Sequence, residues 1–82
     1  MSLIDRMRRN PAGDWTIGDV ERACRRAGAT LLAPRGGGSR FKVAHPGRRD
    51  ILTIPACRPI KPAYIRQLVA YLTAVGGDNA DD

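Results

Sequence analysis

Three successive glycines, Gly36-Gly37-Gly38, interrupt the middle of the chain. Such a run cannot hold regular structure cheaply, because an ordered glycine gives up more backbone freedom than any other residue. Pro34 to Gly38 is therefore expected to be a loop, and the segments on either side to be separate elements. Both are β-compatible. Thr30 to Ala33 is short and apolar, and Arg40 to His45 alternates, with Phe41 and Val43 to one side and Arg40, Lys42 and Ala44 to the other. His45-Pro46-Gly47-Arg48-Arg49 reads as a turn, Asp50 to Ile54 as a third strand with Leu52 and Ile54 inward, and Pro55 to Pro59 as a loop.

Helical signals flank these strands. Ser2 to Asn10 can form a short helix opened by a weak Ser2/Asp5 capping box and stopped by Asn10-Pro11-Ala12-Gly13. After Trp15, Thr16 and Asp19 cap a second helix running to about Ala27, with Ile17, Val20, Cys24 and Ala27 as its apolar stripe. Arg22, Arg25 and Arg26 fall mostly off that stripe, and Gly28 suits the residue beyond the helix, where a positive φ is favoured. Pro62 fits the first turn of a last helix, whose stripe is Ile65, Leu68, Val69 and Leu72 and which Gly76 and Gly77 end.

The order is helix, helix, strand, strand, strand, helix. Short links predict an α+β fold with a three-stranded antiparallel meander and the helices on one face. The 82 residues allow one domain, spanning 1–77. Residues 1–13 form an N-terminal extension and 78–82 an acidic, frayed tail. A domain this small affords one compact core and no deep cavity, so any chemistry belongs on an open face.

The chain carries a net charge of +6, with a pI near 10.4. Twelve of its fourteen basic residues are Arg, and three of its eight acids (Asp78, Asp81, Asp82) lie in the last five residues. So basic a body favours polyanionic partners, and the planar fork of Arg suits phosphate. Cys24 and Cys57 make no zinc motif, no secretory segment opens the chain, and no stretch is long and apolar enough for a membrane. The expected location is the cytoplasm, with no cofactor and no metal. The aromatics Trp15, Phe41, Tyr64 and Tyr71 are too few for base stacking on an aromatic platform, and Phe41 is expected in the core.

The run Gly37-Gly38-Ser39-Arg40-Phe41-Lys42-Val43, then His45-Pro46, Leu52-Thr53-Ile54-Pro55, and Ile60-Lys61-Pro62 with Tyr64-Ile65-Arg66-Gln67-Leu68 resembles the HicA family of toxins. The resemblance spans roughly Trp15 to Leu72; its specificity lies in the order and spacing of the four pieces. It implies a fold like a double-stranded-RNA-binding domain. It also implies a metal-independent endoribonuclease that cleaves mRNA and blocks translation, and a HicB-like antitoxin that masks the active face. In the family a Gly-Ser-His motif opens the second strand and its His is catalytic. Here Gly38 and Ser39 match, and Arg40 occupies the His position.

That departure changes the expected chemistry. Metal-free RNA cleavage needs a group that takes a proton from the 2′-hydroxyl or gives one to the leaving oxygen, and imidazole titrates near working pH. Guanidinium stays protonated to above about pH 12, so Arg40 cannot act as base, though it can stabilise charge on phosphorus. General acid–base catalysis is worth roughly 10²- to 10⁴-fold. The chain is thus expected to bind RNA and to cut it slowly or not at all. Three readings of Arg40 stay open: an inactivating change made or selected for production, a natural degenerate or repurposed copy, or transfer of the His role elsewhere. For the last, His45 is the sole candidate, and its plainer reading is a polar turn residue.

The RNA-binding candidates are Gly38, Ser39, Lys42, Arg58 and Lys61. Lys61 precedes Pro62 at the start of the last helix, where backbone N–H groups already favour a phosphate; Arg58 lies in the adjoining loop. The plain alternatives are a strand-edge Ser39 and a solvated Lys61. The glycines lack the Lys-Ser/Thr of a phosphate-binding P-loop and read first as a flexible connection. Arg35 stands equally between solvent and RNA, whereas Arg48 and Arg49 read as solvated charge. The competing functional class is an RNA-binding module without catalysis; the third is a protein-partnering surface alone.

Overall fold

A computed structural model of the chain describes residues 2–75. Its elements are α1 (Leu3–Arg9), α2 (Ile17–Arg26), β1 (Thr30–Leu32), a 3-10 turn (Arg35–Gly37), β2 (Arg40–Ala44), β3 (Leu52–Pro55) and α3 (Pro62–Ala74). The fold is α+β, in the helix-helix-strand-strand-strand-helix order expected. Among the described residues the single sheet has the order β1-β2-β3 and both pairings are antiparallel.

Local chemistry explains the helix ends. In α1 the Ser2 hydroxyl accepts from the Asp5 N–H (3.0 Å), but the Asp5 carboxylate turns outward to Arg8 and Arg9, so only half of the expected capping box forms. In α2 the box is complete: the Thr16 hydroxyl accepts from the Asp19 N–H, and the Asp19 carboxylate accepts from the Thr16 N–H (2.9 Å). The helix closes on Gly28 at φ +75°. There the Ala29 N–H donates to the Cys24 carbonyl and the Gly28 N–H to that of Arg25, the paired bonds of a Schellman motif. Lys61 caps α3 in extended conformation, with Pro62 in the first turn.

The strands differ from expectation at their ends. β1 stops at Leu32, before Pro34 turns the chain. β3 begins at Leu52 rather than Asp50, because the Arg48–Asp50 ion pair holds the preceding turn; it runs on to Pro55, which sits opposite Arg40. Pro55 is tolerated because β3 is an edge strand, where a missing donor breaks no second ladder. The glycine run is not merely irregular. Gly36 and Gly37 adopt φ of +69° and +78°, values that favour glycine, and build the 3-10 turn.

One face of the sheet is dry. Val43 and Ile54 are fully buried against Ile4, Met7, Val20, Ile65, Leu68 and Leu72, with Leu31 and Leu52 packed at the margin. Phe41 lies on the same face but is only half-buried, at the β2 end nearest the glycine turn. The segment expected as an extension belongs to this core: Leu3, Ile4 and Met7 are buried, and α1 packs mainly against α3. Two aromatic pins hold the layers. Trp15 donates through Nε1 to the Asn10 carbonyl (2.7 Å), and its own carbonyl accepts from the Ile60 N–H (2.9 Å). Tyr71 on α3 donates through its hydroxyl to the Asp50 carbonyl (2.9 Å) under the Arg48 guanidinium. Gly76, Gly77 and the expected tail at 78–82 lie outside the described residues.

Candidate nucleic-acid interface

The face away from the helices is built by strand alternation. In β2 the exposed positions are Arg40 and Lys42, while Val43 is buried and Phe41 half-buried. The register sets their neighbours: Leu32 and Thr53 flank Lys42, and Pro55 stands opposite Arg40. The 3-10 turn stands beside this face. Together Leu32, Ala33, Pro34, Arg35, Arg40 and Lys42 line a concavity of about 580 Å³.

The described carboxylates all lie away from this concavity. All five carboxylates among the described residues are committed to arginines outside this concavity. Asp5 pairs with Arg8 and Arg9, Asp14 with Arg58, Asp19 with Arg22, Glu21 with Arg25, and Asp50 with Arg48. No ion pair among the described residues involves Arg35, Arg40 or Lys42. Such exposed pairs contribute little stability, but they shape the field. Elsewhere the carboxylates offset part of the positive charge, whereas the three cations of the sheet face meet no described carboxylate and keep their full positive potential.

The expected site residues divide into two groups. Gly38 and Ser39 lead directly into Arg40, and the Ser39 carbonyl accepts from the Ala56 N–H (2.6 Å), which fixes the strand entry. Gly38 is extended, and a side chain there would meet only Pro34 at ordinary contact distance, so space alone does not demand glycine. Lys42 and Arg40 line the concavity; Arg58 and Lys61 do not. Arg58 is exposed and 3.9 Å from the Asp14 carboxylate, and Lys61 caps α3 beside Ile60, whose N–H is held by Trp15. Arg35 and Leu32 join the site instead. Arg35 was balanced between solvent and RNA in the sequence; Leu32 read simply as part of an apolar strand. Its outward position follows from the alternation of a three-residue strand in which Leu31 faces in.

His45 is remote from this end. It lies five residues along from Arg40, roughly 16 Å for an extended strand. Its Nδ1 accepts from the Gly47 N–H (2.8 Å), a turn contact, and its ring lies near Gly28. Among the described residues no carboxylate or imidazole lines the concavity, whose side chains can hold an anion beside an apolar group. Among the described residues no cluster of three or more His, Cys, Asp or Glu could hold a metal ion, and no helix is long and apolar enough to cross a membrane.

The chain matches no protein-family model, and neither a curated protein nor a solved structure is significantly similar to it.

Proposed function

We propose that the chain is an RNA-binding protein of the HicA toxin type, whose exposed sheet face takes the phosphodiester backbone. Arg40 stands at the position that an active enzyme of this type gives to its histidine. The observation that carries the reading is a cluster of cations: Arg35, Arg40 and Lys42 share one face without a counter-ion among the described residues, while every described carboxylate is engaged elsewhere. Counter-ion release from RNA then supplies most of the affinity. A HicB-like antitoxin with an acidic surface fits the same face by charge complementarity.

In an active enzyme of this class the reacting ribose and phosphate would sit at the start of β2, with imidazole as proton carrier. With Arg40 there, binding and charge stabilisation remain and proton transfer is lost. The chain thus holds RNA and cleaves it slowly or not at all. The test is expression of Arg40→His in bacteria without an antitoxin. Growth arrest with mRNA cleavage is expected, while the Arg40 protein is tolerated. Unchanged growth with folded Arg40→His protein present and mRNA intact would remove the catalytic assignment. It would leave a non-catalytic RNA-binding module, a reading supported by a lining without imidazole or carboxylate among the described residues.

A further inference from the structure

The concavity beside the glycine turn has more than phosphate contact requires. Three cations would suffice to hold a backbone, yet half of its lining is Leu32, Ala33 and Pro34. Leu32 is 45% exposed, one of two large hydrophobic side chains left so exposed among the described residues. It lies directly across from Lys42 in the β1–β2 ladder, and Arg40 follows two residues along the same face, roughly 7 Å away. Apolar and cationic side chains thus lie side by side around a space of about 580 Å³, inside the range of about 300–1,000 Å³ usual for small-molecule sites.

We propose that this concavity holds one nucleotide of a single RNA strand, its base against Leu32, Ala33 and Pro34 and its phosphate among Arg35, Arg40 and Lys42. The inference rests on the RNA reading above and deepens it. A base lying in the concavity must be unstacked, so the preferred substrate is single-stranded or locally opened RNA rather than an intact duplex. The aliphatic wall replaces the aromatic platform that the chain lacks. Gly36 and Gly37 leave the rim open, since a side chain at either would meet nothing within 4 Å, so a strand can pass close to the turn backbone. A base seated here would also bring its own phosphate onto Arg40.

The test is an NMR titration of the labelled full chain with adenosine 5′-monophosphate and, separately, with ribose 5-phosphate. The expected result is a dissociation constant about five-fold or more lower for the nucleotide, from burial of the base face, with shifts at the Leu32 methyls and the Lys42 amide. Leu32→Ala should erase that preference with the spectrum still dispersed, while Ile51→Ala, which truncates the other exposed hydrophobic side chain, should keep it. A single-stranded hexa-adenylate should displace the mononucleotide. Equal affinity for the two small ligands, or shifts away from Leu32, overturns the base site. If the hexanucleotide still binds with strong salt dependence in that case, the RNA reading survives alone. A nucleotide that binds at Leu32 but is not displaced by the hexanucleotide overturns the assignment to RNA. Failure of the hexanucleotide to bind at low salt removes the RNA reading itself.

Discussion

Arg40 stands directly across the β2–β3 ladder from Pro55, a neighbour with neither a charge nor a donor to offer. The end of the ladder is closed just beyond, where the Ala56 N–H bonds to the Ser39 carbonyl. Arg40 is thus held on a fixed, exposed strand position with no carboxylate partner among the described residues. A surface arginine in that state gives up only water when it meets a phosphate. An arginine such as Arg48, bonded through two nitrogens to Asp50 (2.8 Å each), would first have to break a good contact.

The first prediction follows from that contrast. Arg35→Ala and Lys42→Ala should each weaken RNA binding and lower the slope of log K against log salt by about 1. Arg25→Ala should leave the slope unchanged, since Arg25 lies on exposed α2 surface beside Glu21. Each replaced side chain is exposed, so stability should change by no more than about 0.5 kcal/mol. Fluorescence anisotropy with a labelled RNA across a salt series reads the slopes.

Much of this geometry is legible in the residues. Alternation in Arg40-Phe41-Lys42-Val43 places the two cations on one face before any coordinates are known, and the Thr16/Asp19 pair marks the start of α2. Other features depend on tertiary contacts. Nothing local says that Leu31 rather than Leu32 faces the core, because a three-residue strand supports either register until β2 fixes it. Nothing local pairs Arg58 with Asp14, which are 44 residues apart and meet only because Trp15 anchors Ile60. The packing of α1 against α3 was equally hidden: Leu3, Ile4 and Met7 form an apolar stripe, but a stripe does not name its partner.

That packing yields the second prediction. Met7 is fully buried between the helices, so Met7→Ala should destabilise the fold by about 2–5 kcal/mol. That is a large share of what a domain of this size has to lose. Removing the first ten residues should leave the rest unable to fold cooperatively. Urea denaturation followed by Trp15 fluorescence measures the first. A truncated chain with an unchanged midpoint would return α1 to the status of an appendage.

The two thiols should differ sharply in reactivity. Cys57 is exposed, whereas Cys24 is buried in the core, where burial first and the Glu21 charge second push its thiol up to about 12. The thiolate is the reactive form. Native protein treated with a maleimide near pH 7.5 should gain one adduct, at Cys57, and denatured protein two. Mass spectrometry of the intact chain counts them; rapid modification of Cys24 in folded protein would contradict its place on the buried face of α2.

The last prediction concerns acid. Burial pushes the Asp19 carboxyl up, but the Thr16 backbone and hydroxyl hydrogen bonds, with the Arg22 charge, outweigh it and hold the group below the usual carboxylate range. A carboxyl with a lower pKa in the folded than in the unfolded chain adds stability above its unfolded value, about 3.9. That contribution is lost as the pH falls through the folded value. Asp19→Asn should therefore cost stability at neutral pH and show a flatter loss on acidification, so the two proteins converge as the pH falls below the folded value. Thr16→Ala removes a helix cap worth about 1 kcal/mol. Because the Asp19 shift itself depends on Thr16, Thr16→Ala should flatten the acid limb in part as well. Denaturant midpoints at a series of pH values separate the cases. Parallel curves for Asp19→Asn and the unmodified chain would mean that the capping carboxylate contributes nothing that protonation can remove.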